Sequence, residues 1–282
     1  MKNKYLYISD LDGTLLNGHK QISEFTKQTL NSLIDKGIDF SVATARSAAS
    51  AVKILSDLQL KIPIILLNGV GIYDVLDHRY LKIEKIETNT AYGILDVLEK
   101  YNSTGFMYNI VNGKLNTYYE CLATPYLQEY HDERVIKYGK KFKHVSSLTD
   151  VIMAGEVIYF TLMGEQQYLE MLIDDLKKLP AIDVMLSSDV YRENLWYLEI
   201  HSTNASKYNA VKYLRDHYGY DKIIGFGDNF NDIPLYKACD EFFAVQNAIG
   251  ELKDIATGVI GDNHSDGVAK FIAARESLTR LY

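Results

Sequence analysis

The sequence predicts an α/β protein, a Rossmann-like parallel-sheet core interrupted by an inserted α+β domain. Three observations carry this. The first seventy or so residues alternate short apolar runs with amphipathic helical patterns, the pattern of parallel strands joined by crossover helices. The middle breaks that alternation with two β-rich runs around Asn112-Gly113, the strongest short signal for a two-residue hairpin. From Lys207 onward the strand–helix alternation returns.

The elements follow in order. Residues 5–9 read as a short buried strand that runs into Asp10-Leu-Asp-Gly-Thr14. Ser23 is placed to cap a helix with Phe25, Leu30, Leu33 and Ile34 on one face, ending at Gly37. A strand over 38–43 ends at Thr44, a helix capped by Ser47 covers 48–58, and 62–67 is a third buried strand ending at Asn68-Gly69. The middle predicts helices over 90–100, 126–137 and 167–178, the hairpin 106–111/114–119, and strands over 157–162, 183–186 and 195–201. The last part predicts a helix from Lys207 to about 217, a strand 223–226 ending at Gly227-Asp228, a helix 231–238, a strand 242–245, a helix 250–256, a short strand 259–260 and a terminal helix 266–276. The expected division is a core of residues 1–83 and 194–282 and an inserted domain of 84–193.

Bulk properties narrow the function. The 282 residues are 47% hydrophobic and 24% charged, an ordinary globular balance able to bury a sizeable core. The net charge of −7 repels nucleic acid and anionic lipid as a whole. Cys121 and Cys239 are the only cysteines, too few for a disulfide framework or a zinc site, which fits a reducing compartment. The apolar run after the N-terminus is too short for a signal-peptide core, and the run 62–67 contains Pro63 and falls far short of the ~20 residues that span a bilayer. The expectation is therefore a cytosolic protein with no nucleic-acid or membrane partner.

The chemistry-bearing residues gather where an open α/β sheet binds ligands, beyond the carboxyl ends of its strands. Asp10 and Asp12 follow the first strand two positions apart, so an extended chain there directs both carboxylates to one side. One can attack phosphorus, and the other can serve a leaving group and then a water as acid and base. Gly13 permits a sharp turn beside the ligand. A calcium loop counted from Asp10 would need Gly and Glu where Leu15 and Gln21 stand. Asp228 follows a later strand and offers a hard oxygen ligand for Mg²⁺, while Asn231 and Asp232 open a helix, where they can serve either as caps or beside an anion. Thr44 brings a hydroxyl and Lys207 a point charge suited to phosphate. Taken singly, these two are an ordinary strand-end threonine and an ordinary surface lysine. No complete dinucleotide, P-loop or nucleophile-elbow motif occurs.

Asp10-Leu-Asp-Gly-Thr14, Thr44-Ala-Arg46, Lys207 and Gly227-Asp-Asn-Phe-Asn-Asp232 stand in the order of the four motifs of the haloacid dehalogenase superfamily. The sequence resembles its Cof-type phosphatases, whose inserted domain is a type II cap. Asn68-Gly69, Asn247-Ala248 and Asp266-Gly267-Val268-Ala269 also resemble subgroup patterns, and Ala45 replaces the usual glycine of the second motif. The resemblance implies Asp10 as nucleophile and Asp12 as general acid/base. It implies Mg²⁺ as cofactor, held by Asp10, Asp228 and the backbone carbonyl of Asp12. Thr44, Lys207 and Asn231 would hold the phosphoryl group, supported by Arg46, Asn68 and Asp232. The substrate would be a small phosphorylated metabolite such as a sugar phosphate, with the cap reading its leaving group. A phosphomutase or phosphotransferase would share this machinery. A non-catalytic sensor of phosphorylated ligands would be expected to lack Asp12 or Lys207, and both are present.

Overall fold

The computed structural model describes residues 4–189, 192 and 194–279. They form two compact units, one built from the chain up to Leu81 and again from Ser206 onward, the other from Lys82–Ala205. Each has its own apolar core. Leu6, Ile8, Val42, Ile224 and Phe226 lie in the first, and Ile94, Met107, Phe160 and Leu198 in the second.

In the first unit β1 (Tyr5–Ser9) is followed by α1 (Glu24–Asp35), β2 (Asp39–Val42), α2 (Ala48–Leu55), β3 (Ile64–Leu66), β4 (Gly71–Asp74) and β5 (Arg79–Ile83), whose last two residues fall at the start of the second unit. The second unit continues with α3 (Thr88–Lys100), β6 (Phe106–Val111), β7 (Lys114–Tyr119), α4 (Pro125–Tyr138), β8 (Phe142–His144) and α5 (Thr149–Ile152). It ends with β9 (Glu156–Gly164), α6 (Gln166–Leu176), β10 (Ile182–Ser188) and β11 (Trp196–Ser202). The chain then returns to the first unit with α7 (Lys207–Tyr218), β12 (Lys222–Gly227), α8 (Ile233–Ala238), β13 (Glu241–Val245), α9 (Gly250–Ile255), β14 (Gly258–Ile260) and α10 (Gly267–Thr279).

The core sheet has the order β14-β13-β12-β1-β2 and every pairing is parallel. Its middle strands β1 and β12 are apolar with almost no alternation, because helices and loops cover both faces of a parallel sheet. The second unit holds a six-stranded sheet, β10-β11-β9-β6-β7-β8, antiparallel except where β7 meets β8. Its hairpin turns at Asn112 and Gly113 with φ of 51° and 73°, the left-handed pair that a type I′ turn requires.

The structure departs from the sequence reading at several points. The strand predicted over 62–67 is short and belongs mainly to another sheet. It pairs antiparallel with β4 in the order β3-β4-β5 and touches the core sheet through one parallel bridge, Ala43 to Ile65. An apolar run at the end of a strand–helix alternation does not reveal its pairing partner. Phe25 is 47% exposed, and α1 buries Thr26 with Leu30, Leu33 and Ile34 instead. Ser23 caps α1 by accepting from the Thr26 amide, whereas Ser47 makes no side-chain cap bond. A boundary at 193 would part β11 from β9 and β10, to which its hydrogen bonds run; the second unit extends to Ala205.

Candidate active site

Ser9 is the last residue of β1, and the Asp10 amide still donates to the Phe226 carbonyl at 3.0 Å. That bond seats Asp10 beside the end of β12. The chain then winds through an irregular turn, residues 11–15, closed by the Leu16 amide donating to the Leu11 carbonyl at 2.9 Å. Asp12 is extended (φ −76°, ψ 120°) and Gly13 left-handed (φ +81°). A Cβ on Gly13 would collide with the Asp228 carboxylate, so this loop and the loop after β12 approach closely only because residue 13 is glycine. Thr14 completes the contact, its hydroxyl donating to Asp228 Oδ1 at 2.7 Å. Thr14 closes the first sequence motif, but the motif alone does not reveal Asp228 as its partner.

The carboxylates of Asp10 and Asp12 are held by different cations. Lys207 Nζ donates to Asp10 Oδ1 at 2.6 Å and to Asp232 Oδ1 at 2.7 Å. It opens α7 behind the N-cap Ser206, which accepts from the Asn209 amide, and its side chain is only 1% exposed. Asp12 is instead gripped by Arg46, with Nε to Oδ2 at 2.6 Å and Nη2 to Oδ1 at 2.7 Å. This two-pronged geometry fixes the plane of the carboxylate as well as its position.

The remaining predicted residues sit around these two pairs. Thr44 is buried beyond β2. Its amide donates to the Ile65 carbonyl, its carbonyl accepts from the Asn68 amide, and its hydroxyl oxygen accepts from the Arg46 amide at 3.1 Å. Asn68 is buried with φ +54°, and its side-chain oxygen accepts from Asn231 Nδ2 across 3.4 Å. Asp232 is fully buried. Its Oδ2 accepts from the amides of Asp228 and Asn229 at 2.9 and 3.2 Å, so the loop after β12 is folded around the carboxylate that also anchors Lys207.

The electrostatics follow from burial. Asp10, Asp228 and Asp232 present carboxylate oxygens that lie within 4.8 Å of one another. Desolvation raises Asp10 well above the ordinary carboxylate range, against the pull of Lys207. Desolvation, reinforced by the neighbouring Asp232, pushes Asp228 up to about 7. Burial alone would lower Lys207, but the charges of Asp10 and Asp232 outweigh it and hold the ammonium above its usual value. Three acids against one ammonium leave the cluster short of positive charge. An all-oxygen donor set of this kind fits a hard divalent cation. The third carboxylate of the cluster is Asp232, because the Asp12 side chain is turned to Arg46; only the backbone carbonyl of Asp12 was expected to serve a metal.

Comparison with known proteins agrees with this geometry. Residues 7–272 match the family of haloacid dehalogenase-like hydrolases. The 5-amino-6-(5-phospho-D-ribitylamino)uracil phosphatase YitU of Bacillus subtilis is 27% identical, the match covering 97% of this chain and 98% of that one. The pyridoxal phosphate phosphatase YbhA of Escherichia coli is 24% identical, covering 93% of this chain and 95% of that one. A crystal structure of a haloacid dehalogenase-like hydrolase from Bacteroides thetaiotaomicron superposes with a TM-score of 0.80, at 22% identity and over the whole of both chains. The chain thus belongs to the haloacid dehalogenase-like hydrolases, as a Cof-type phosphatase.

Proposed function

We propose that the enzyme hydrolyses a small phosphate monoester with Mg²⁺ through an aspartyl phosphate on Asp10. The observation that carries this reading is the buried cluster of Asp10, Asp228 and Asp232 around the single ammonium of Lys207. Asp10 and Asp228, with the Asp12 carbonyl, would hold the cation. When bound, it supplies the positive charge that lets a carboxylate approach a phosphate dianion.

The rest of the work falls to the chain itself. An Asp10 carboxylate oxygen bonds to phosphorus while the bond from phosphorus to the leaving oxygen breaks, and Asp12 gives that oxygen a proton. Asp12 then takes a proton from water, whose oxygen bonds to phosphorus and releases Asp10. To move a proton, Asp12 has to let go of one of its two bonds to Arg46. Lys207 spends two of its three donors on Asp10 and Asp232, which leaves one for a phosphoryl oxygen. The Thr44 hydroxyl accepts from the Arg46 amide and so keeps its own proton to donate. Asn231 adds a further amide beside Asn68.

The relatives that act on a phosphoribitylamino-uracil and on pyridoxal phosphate support an organic phosphate ester as substrate. The test is a panel of phosphorylated metabolites assayed for Mg²⁺-dependent phosphate release, with acid quench to trap phosphorylated protein. Phosphate release without a trappable phosphoenzyme, in a mutant slowed at the second step, would remove Asp10 from the role of nucleophile. Transfer to an alcohol in preference to water would make the enzyme a phosphotransferase.

A further inference from the structure

The two loops that carry the acids are tied together by a third segment. After β13 the chain turns over Val245–Ala248, the Ala248 amide donating to the Val245 carbonyl at 2.9 Å. From this turn the side-chain amide of Asn247 donates to the Gly13 carbonyl at 2.7 Å, in the loop of Asp10 and Asp12. Two residues on, the Ile249 amide donates to the Asp228 carbonyl at 2.9 Å. One short turn therefore holds the backbone of both acid loops.

The turn is itself anchored. Asn247 Oδ1 accepts from the Asn263 amide at 3.1 Å, and Asn263 Nδ2 donates to the Leu16 carbonyl at 2.8 Å. Asn263 is buried, and Asp262 fixes the turn that carries it by accepting from the Ser265 amide at 2.7 Å. Asp266, next in the same segment, takes the hydroxyls of Ser23 and Thr26 at the start of α1. The Asp10–Leu16 loop is thus held at Gly13 and at Leu16 by two asparagines from the C-terminal part of the chain. Asn247 is exposed and Asn263 is not, so the first adjusts the loop and the second holds the first.

We infer that Asn247, braced by Asn263, is a positioning residue that sets the separation of the Asp10 and Asp228 loops and so the affinity of the site for its divalent cation. The inference rests on the reading of the acid cluster as a Mg²⁺ site. Its physical content is pre-organisation. The peptide between Gly13 and Thr14 is pinned by Asn247, and Thr14 then meets Asp228. Without the pin, the carboxylates must be gathered by the cation itself. Losing one hydrogen bond of this kind is worth a few-fold to about tenfold in an equilibrium constant.

The test uses the full-length chain with Asn247→Ala and Asn263→Ala. Mg²⁺ binding is measured by calorimetry, half-saturating Mg²⁺ by hydrolysis of p-nitrophenyl phosphate, and Tm in EDTA. The expected result is a Mg²⁺ Kd raised about three- to tenfold in each variant. The double variant should fall short of the product of the two effects, because both act on one loop. Asn247→Ala, at an exposed position, should lower Tm in EDTA by no more than about 3 °C. A role in stability alone would lower Tm and leave the Kd of the folded protein unchanged, and that outcome overturns the inference. Wild-type protein that binds Mg²⁺ but hydrolyses nothing would refute the phosphatase reading, while the calorimetric comparison would still decide the inference. Wild-type protein that binds no Mg²⁺ would refute both.

Discussion

Lys207 Nζ lies 2.6 Å from Asp10 Oδ1, although 197 positions of sequence separate the two residues. The pair is buried, and Asp232 closes it from the other side at 2.7 Å. Replacing Lys207 with Met leaves three carboxylates facing one another without their cation. Breaking a buried pair from one side costs about 3–5 kcal/mol. Lys207→Met should therefore lose activity and lower the denaturant midpoint in EDTA at pH 8. Adding Asp232→Asn should restore part of the stability and none of the activity. A midpoint unchanged by Lys207→Met would show that the acids are already neutral at that pH.

Asp10→Asn separates chemistry from folding. Asparagine keeps the shape and removes the nucleophile, so kcat should fall at least about a hundredfold. Stability in EDTA should hold or rise, since a desolvated acid has been removed. Retention of more than about a hundredth of kcat would place the nucleophile elsewhere.

The third prediction concerns pH. Asp228 is raised to about 7 when folded, from 3.8 for the free side chain. As a raised acid it favours the protonated folded state, so as pH climbs from 3.8 towards 7 the metal-free protein loses stability, and the full cost is present above 7. A cation that binds the ionised form competes with that proton. The rise in Tm caused by a fixed Mg²⁺ concentration should therefore be larger at pH 8 than at pH 6. An equal or smaller rise at pH 8 would mean that Asp228 does not take part in metal binding.

The grip of Arg46 on Asp12 gives a fourth prediction. Lysine keeps the charge but cannot hold both oxygens in one plane. Arg46→Lys should lower kcat for an alkyl phosphate about tenfold, by misplacing the acid that protonates a poor leaving group. p-Nitrophenolate needs no proton to depart, so the loss for p-nitrophenyl phosphate should be smaller. Equal losses would assign Arg46 to phosphate binding.

Much of this site could be read before the fold was known, and the reason is local. Asp10, Asp12, Asp228 and Asp232 occupy strand-to-helix turns whose flanking apolar runs are visible in one stretch of chain. What the spacing of Asp10 and Asp12 did not reveal is that each carboxylate has its own cation: Lys207 holds Asp10, while Arg46, kept near by the Thr44 hydroxyl, holds Asp12, whose charge still acts on Asp228. Thr14 and Asn247 stood inside recognisable patterns but their partners did not show, and Asn263 carried no signal at all, since each acts through a backbone or side-chain group far away in sequence. β3 misled for the same reason: composition marks a buried strand, but its partner is chosen by the chain that follows.

The order of the core sheet has a consequence for synthesis on the ribosome. β1 lies between β2 and β12, so one edge of the strand that delivers Asp10 has no partner until Lys222–Gly227 has been made. The Lys82–Ala205 unit, by contrast, draws its sheet and its apolar core from within its own span, which is finished earlier. During translation the insertion can therefore close while the older strand waits with exposed backbone donors and acceptors, the kind of edge that pairs with the wrong chain. A nascent chain stalled between Ala205 and Lys222 should be the species that most needs a chaperone.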